Sequence, residues 1–429
     1  MTYAAVFCFP GHGHVNPTLP FVAELVRRGE KVDYYCVEDF RSAIESTGAR
    51  FKPLGAATMK LATMDPMAGI FRLGEVVAEV THDLLPELLE TLARDRPDYV
   101  IYDTMTPWGL LAAQALKIPA VATCPTLAML PEWAPPTAAL LLAQGISALA
   151  RNVRSLRRRA ELTAETARCF GVDRLRLANV LTNPAACTIV FTSELFQVRR
   201  ERLDPRFHFV GATLSEPDDP TFPLATLDGK RVLYGSLGTA FNGNATFFRA
   251  LLAAFDGADD RVVIGAGNRT DLSALGPIPA NCIVRPHVPQ LAVLERAALF
   301  VTHGGMSSIS GALWHEVPML VCPRGGDQFV NARRIEKLRV GRRLRHGDLT
   351  PKRIRRLADD LVRDETVRRN LGELGRSLRD AGGASRAAEI VLRFVESTRG
   401  SREPSTAGSS LTIPPASLPT HSNSAQPPA

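Results

Sequence analysis

The chain of 429 residues predicts an α/β protein built from two doubly wound domains, each a parallel sheet with helices on both faces. Three observations carry that expectation. Short apolar runs bounded by Gly, Pro or Asp alternate with longer stretches of helical spacing, the rhythm of strands and crossover helices. That rhythm breaks once, at a Pro- and Asp-dense stretch over 215–223, and then restarts. Finally, 45% hydrophobic and 22% charged residues give a globular composition, long enough for each half to bury its own core.

Taken in order, strands are expected at 4–9, 31–36, 99–102, 120–123 and 188–192, with helical spacing over 19–28 and 108–116. A further run at 207–211 leads into the Pro- and Asp-dense break. Beyond it, 231–234, 262–265, 282–285, 299–302 and 318–322 read as central strands. The domains are therefore 1–210, a linker over 211–228, and 229–398. From 399 the chain is mostly Ser, Pro, Thr, Ala and Gly, too poor in large apolar groups to pack, and disorder is expected.

Composition excludes several classes of function. The net charge of +7 is spread along the chain, and with 7% aromatic residues and no basic–aromatic interleaving it does not describe a nucleic-acid surface. The seven cysteines lack a CxxC pair or metal-ligand spacing, so they read as reduced core residues. The first residues run straight into a strand pattern, and the longest apolar stretch, 138–150, is too short to span a bilayer; a cytoplasmic protein without a transmembrane segment is expected.

Three loops can carry chemistry. Pro10-Gly11-His12-Gly13-His14-Val15-Asn16-Pro17 follows the first strand, where an open parallel sheet binds ligands. As a dinucleotide fingerprint it lacks the third glycine, and so does the loop at Gly265-Ala266-Gly267, which speaks against a nicotinamide or flavin enzyme. His14, facing the cleft at a helix expected to start near Pro17, suits a general base, because its ordinary pKa lies near working pH. Asp103, closing another strand of the same sheet, either orients that imidazole or caps the helix beginning near Pro107.

The second loop, Thr302-His303-Gly304-Gly305-Met306-Ser307-Ser308, is a strand–glycine–helix turn. Free N–H groups and the helix dipole make such a turn either an anion site or a plain cap, and His303, Ser307 and Ser308 can add donors. The third, Pro323-Arg324-Gly325-Gly326-Asp327-Gln328, offers the acceptors and donors that sugar hydroxyls need, or is an ordinary turn. A DxD site for a metal-bound sugar diphosphate is missing.

At these residues the sequence resembles a known family. His287-Val288-Pro289-Gln290, then 302–308, then Pro318, Pro323, Asp327-Gln328 and Asn331-Ala332 resemble the donor-site signature of the family 1 (UDP-glycosyltransferase-like) glycosyltransferases. Residues 11–19 resemble the acceptor-side loop of the bacterial macrolide branch, and with Ser236-Leu237-Gly238-Thr239 the likeness spans about 1–398. The resemblance implies a GT-B fold, two Rossmann-like domains facing a cleft, with the acceptor on the first and a nucleotide sugar on the second. It places His14 on the catalytic base and Asp103 on its partner. Ser236 and Thr239 fall near the diphosphate, His287, Val288 and Gln290 on the base-binding segment, and His303, Gly305, Ser307 and Ser308 on the phosphate turn. Asp327 and Gln328 fall on the sugar contacts.

Two positions depart from the family pattern. His287 stands where Trp is usual, which reduces stacking area, and Gly311 stands where the family has a ribose-binding Glu. Loss of such a charged hydrogen bond costs about 1.5–3 kcal/mol. The expected function is an inverting hexosyltransferase that uses a UDP- or dTDP-sugar as co-substrate, needs no cofactor or metal, and acts as monomer or homodimer. Its acceptor is a hydroxyl on a small lipophilic natural product, a macrolide, polyketide or phenolic compound; segments 59–73 and 127–141 read either as its apolar lining or as packed core. Gly311 motivates the alternative, a non-catalytic nucleotide-sugar-binding or helper protein on the same fold; a nucleotide-sugar epimerase or hydrolase is the third reading.

Overall fold

The computed structural model describes residues 2–65, 68–130, 133, 146–175, 182–216, 219–239 and 242–400. Among them, seven strands form a first sheet: β1 (Tyr3–Phe7), β2 (Lys31–Cys36), β3 (Arg50–Pro53), β4 (Tyr99–Asp103), β5 (Ala120–Cys124), β6 (Cys187–Val190) and β7 (Phe207–Phe209). Their spatial order is β3-β2-β1-β4-β5-β6-β7. Six strands form the second sheet: β8 (Val232–Ser236), β9 (Arg261–Gly265), β10 (Cys282–Arg285), β11 (Ala297–Thr302), β12 (Met319–Val321) and β13 (Gly341–Arg343), ordered β10-β9-β8-β11-β12-β13. All the ladders are parallel.

Helices of the first lobe are α1 (His12–Arg27), α2 (Arg41–Glu45), α3 (Met59–Ala62), α4 (Gly69–Asp95), α5 (Pro107–Leu116) and α6 (Ile146–Phe170). After the linker come α7 (Ala245–Phe255), α8 (Gln290–Leu294), α9 (Met306–Trp314), α10 (Gln328–Lys337), α11 (Pro351–Arg363), α12 (Glu365–Asp380) and α13 (Gly383–Gly400).

The central strands were legible because both of their faces are covered. β1 reads YAAVF with every residue buried, a continuous apolar run where a half-exposed strand would alternate. The edge strands β3 (RFKP) and β13 (GRR) were not expected. Short edges tolerate charge and proline, which blunt unwanted pairing and also erase the strand signal.

Helix α1 differs from the expected start near Pro17: it begins at His12, with Pro17 and Pro20 inside it. Each proline removes the donor for the carbonyl four residues earlier. The buried stripe of Val15, Phe21, Val22 and Leu25 nevertheless holds the extra turn against the sheet. His14 consequently sits in the first helical turn, with its backbone fixed.

Helix α13 is the other departure. The sequence assigned 229–398 to the second domain, yet Ala387, Ala388, Val391 and Val395 pack into the core of the first lobe with Phe21, Val22 and Leu25. An amphipathic stripe has the same period whichever sheet it covers, so its destination is invisible in the sequence. Residues 399 and 400 close this helix, and the expected tail from 401 lies outside the described residues.

The strand order positions the site. Each sheet reverses direction beside its first strand, at β1/β4 and at β8/β11, and such switch points open a crevice at the strands' carboxyl ends. Phe7 pairs with Tyr102 and Thr302 with Ser236, so the loops leaving these strands start side by side. The Arg334 guanidinium on α10 ties the lobes together, donating to the carbonyls of Leu195, Phe196 and Gln197 at 2.7, 2.9 and 3.1 Å.

Five cysteines are buried as expected, whereas Cys282 is half-buried and Cys169 exposed; all seven are free thiols. Among the described residues no helix is long and apolar enough to cross a membrane.

Candidate active site

Phe7 ends β1, and seven residues later the first turn of α1 presents His14; Asp103 ends the neighbouring β4. The two meet: His14 Nδ1 lies 2.8 Å from Asp103 Oδ2, with the carboxylate fully buried and the imidazole side chain 16% exposed. The other carboxylate oxygen accepts the Met105 N–H at 2.7 Å. Helix α5 has Thr106 at its N-cap and no side-chain cap, so Asp103 is an orienting group for the imidazole rather than a helix cap. With Nδ1 held by the carboxylate, Nε2 is the ring nitrogen left for chemistry.

Burial by itself would lower the His14 pKa. The Asp103 charge and hydrogen bond outweigh it, Asp327 adds to them, and the imidazole ends above its usual value. Asp327 belongs to the second lobe, so this interaction spans the crevice. Its carboxylate has an open solvent face, yet the surrounding walls strip enough water to raise its pKa despite a 3.0 Å bond from Asn331 and the nearby His14. A second pair of facing groups joins the lobes here: His12, lowered first by burial, is lowered further by His287 across the gap.

In the second lobe, the β11–α9 turn is assembled around His303. A Cβ on Gly238 would lie 2.5 Å from its Cε1, and one on Gly305 2.6 Å from its Nε2. Gly238 also has φ +71°, a left-handed conformation that glycine adopts without strain. The ring is thus gripped between the β8 loop and the N-terminus of α9. Burial pushes its pKa down to about 4, so it is neutral at pH 7, and its buried Nδ1 has no partner. An anion here would meet neutral donors and a helix dipole rather than a fixed cation.

The other expected residues gather around this turn. Ser236 Oγ is buried and accepts the Gly238 N–H at 3.2 Å, holding the β8 loop, while Thr239 is exposed beyond it. Ser307 is half-buried and Ser308 buried on the first turn of α9. Val288 packs beside Gly265, His287 is exposed, and Gln290 Oε1 accepts the Tyr234 hydroxyl at 3.4 Å. Gln328 is buried with Oε1 committed to the N–H groups of Arg324 and Gly325 at 2.8 and 3.2 Å, bonds that do not use its amide nitrogen.

Residues to which the sequence alone assigned no role of their own complete the arrangement. Asn331 Nδ2 donates to both Asp327 Oδ2 and the Gly304 carbonyl, 2.9 Å away, coupling the sugar-side turn to the anion turn. Ser310 and Glu216 line an interlobe crevice with Asn16, Gln290 and Ser307. At Gly311 a Cβ would lie 3.0 Å from Leu294 Cδ1 and 3.3 Å from Leu291 Cδ2, so α8 closes this face of α9.

The segments expected to meet an acceptor lie partly within the described residues. Of 59–73 and 127–141, residues 66–67, 131–132 and 134–141 lie outside the described residues. Leu61, Phe71, Leu127 and Leu130 are packed core, whereas Met59 and Ile70 are exposed. Among the described residues no three His, Cys, Asp or Glu side chains converge as metal ligands.

Comparison with known proteins agrees with this geometry. The model of the erythromycin biosynthesis protein CIII-like C-terminal domain matches residues 249–396. Uncharacterized UDP-glucosyltransferase YojK of Bacillus subtilis strain 168 is 34% identical over 394 residues, covering 90% of this chain and 96% of that protein. Demethyllactenocin mycarosyltransferase of Streptomyces fradiae is 31% identical, over 91% of this chain and 86% of that protein. Among solved structures, the glycotransferase of kitacinnamycin superposes with a TM-score of 0.80 at 29% identity, covering 92% of this chain and 99% of that one. With relatives of 34% and 31% identity matched along nine-tenths of its length, the chain belongs to the family 1 glycosyltransferases, in the bacterial macrolide branch, and its two sheets form the GT-B fold.

Proposed function

We propose that this glycosyltransferase is inverting and metal-independent, moving a hexose from a UDP- or dTDP-sugar to a hydroxyl of a small lipophilic natural product, with His14 as general base. The observation that carries this is the 2.8 Å His14–Asp103 bond facing Asp327 of the other lobe. The acceptor hydroxyl gives its proton to His14 Nε2 as its oxygen bonds to the anomeric carbon. The bond from that carbon to the diphosphate oxygen breaks on the opposite face, so configuration inverts and an α-linked donor yields a β-glycoside. Asp103 holds the Nδ1–H tautomer and stabilises the imidazolium that forms.

The departing nucleoside diphosphate is received by the N–H groups at 305–307, the Ser307 and Ser308 hydroxyls and neutral His303. Asp327 accepts hydroxyl protons of the sugar, and the Gln328 amide donates to it. Holding acceptor and donor on opposite walls supplies proximity, and the Arg334 clamp maintains that spacing. Relatives named for glucosyl and mycarosyl transfer support a range of donor sugars on this scaffold.

His14→Ala tests the proposal: transfer should fall by about 10²–10⁴-fold while nucleotide affinity changes little. Undiminished turnover in the variant removes His14 from the mechanism. The second reading, a binding protein that no longer turns over, is favoured by the closed face at Gly311. Wild-type protein that binds nucleotide sugar but glycosylates none of a set of macrolide and phenolic acceptors would establish it.

A further inference from the structure

We infer that Glu216, in the linker between the lobes, recognises the pentose hydroxyls of the donor nucleotide, and that the donor is therefore a ribonucleotide sugar of the UDP type rather than a 2′-deoxy one. The inference rests on the nucleotide-sugar reading above and narrows it.

The order of groups in a nucleotide locates the pentose. Diphosphate is assigned to the turn at 305–308, and the base to 287–290. Whatever lies between must hold the ring that joins them. The space between is the interlobe crevice bounded by Asn16, Gln290, Leu291, Ser307 and Ser310, with Glu216 on its wall.

The state of the carboxylate indicates what it can bind. Its Oε1 accepts the Gln290 N–H at 2.7 Å and its Oε2 the Leu291 N–H at 2.6 Å. Two carboxylate oxygens have about four acceptor positions, and with the Ala292 N–H also directed at them about one remains. Burial raises the pKa of Glu216 in spite of backbone donors from Gln290, Leu291 and Ala292, which marks a carboxylate set in a wall stripped of water. It would repel a phosphate, and it occupies the α8 N–H groups an anion would otherwise use. Neutral O–H donors are the partners it lacks, and a ribose diol carries two of them where 2′-deoxyribose carries one.

The same carboxylate accounts for a site that has Gly311 on the neighbouring helix. A side chain at Gly311 would have to push aside the Leu294 and Leu291 methyl groups, 3.0 and 3.3 Å from its Cβ, and a carboxylate reaches the crevice from the linker instead.

Titration calorimetry with UDP and 2′-deoxy-UDP, which differ only at the 2′ position, tests this in the wild type, in Glu216→Gln and in Glu216→Ala. The wild type should bind UDP roughly 10- to 100-fold more tightly, the worth of a hydrogen bond to a charged group. Both variants should reduce that ratio to about threefold or less by weakening UDP selectively. A ratio unchanged in the variants, or equal weakening of both nucleotides, would show that Glu216 only pins the linker to α8, and overturns the inference while leaving the donor reading intact. A wild type that binds neither nucleotide overturns the donor reading and this inference with it. Melting curves of the variants confirm folding, and the ratio within each variant is its own control.

Discussion

Asp103→Asn isolates the electrostatic half of the proposed base. The substitution keeps the shape of the side chain and removes the charge that faces His14 at 2.8 Å. In the wild type, burial lowers the imidazole pKa while the Asp103 charge and hydrogen bond raise it further, leaving it above its ordinary value of about 6.5. The base works only when neutral, so the wild-type rate should fall with decreasing pH through a midpoint above 6.5. Removing the charge leaves burial as the dominant influence and moves that midpoint down. A hydrogen bond to a charged group contributes about 1.5–3 kcal/mol. Its loss should carry the acid limb to lower pH. The plateau should also drop, by about 10²-fold or more, because the tautomer is no longer fixed and the imidazolium no longer compensated. The assay is the pH dependence of kcat/KM for glycoside formation between pH 5 and 9, read by product mass. A limb that stays in place, or moves upward, would refute the assignment of Asp103 as the group that sets His14.

Two further perturbations test how the site is held. Gly238→Ala introduces a Cβ 2.5 Å from the His303 ring at a residue with φ +71°, and should cost about 1–3 kcal/mol in urea unfolding while weakening nucleotide binding. Gly13→Ala, where a Cβ meets nothing within 4 Å, is the matched control; equal midpoints for the two variants would remove the packing argument. Arg334→Ala deletes three bonds to first-lobe carbonyls and should lose about 1.5–3 kcal/mol. It should also enlarge the particle in small-angle scattering, and unchanged scattering with unchanged stability would show that the lobes are held elsewhere.

Much of the site was legible because its chemistry sits in short contiguous stretches. The glycines that admit His303, the serines of the α9 turn and the 327–328 pair are each a local pattern with a local physical reason. His14 and Asp103 could be paired before any coordinates because one follows and the other closes a strand of the same sheet, both at its carboxyl end. Glu216 was not legible. Its stretch is dense in Pro and Asp and reads as a linker, and nothing local shows that its carboxylate meets the N–H groups of Gln290 and Leu291 seventy-four and seventy-five positions later. Asn331 was visible as part of a motif, but not as the link between Asp327 and Gly304.

The start of α1 illustrates a conflict between local and tertiary terms. Proline at 17 and 20 argues for a helix beginning late, and the local preference is real. The apolar stripe from Val15 to Leu25, buried against β1 and α13, outweighs it. That early start fixes His14 on a helix rather than in a loop.

By itself the sequence determined the two-sheet architecture and the candidate loops at its strand ends, because burial on both faces and glycine turns leave their mark on neighbouring residues. The tertiary structure alone decided which residues stand across the crevice from one another: His14 from Asp327, Glu216 beside Gln290, Arg334 against the carbonyls at 195–197, and α13 on the first lobe. Such contacts depend on how two independently folded sheets dock. Their partners lie tens to hundreds of positions apart, and no short-range periodicity or turn preference records them.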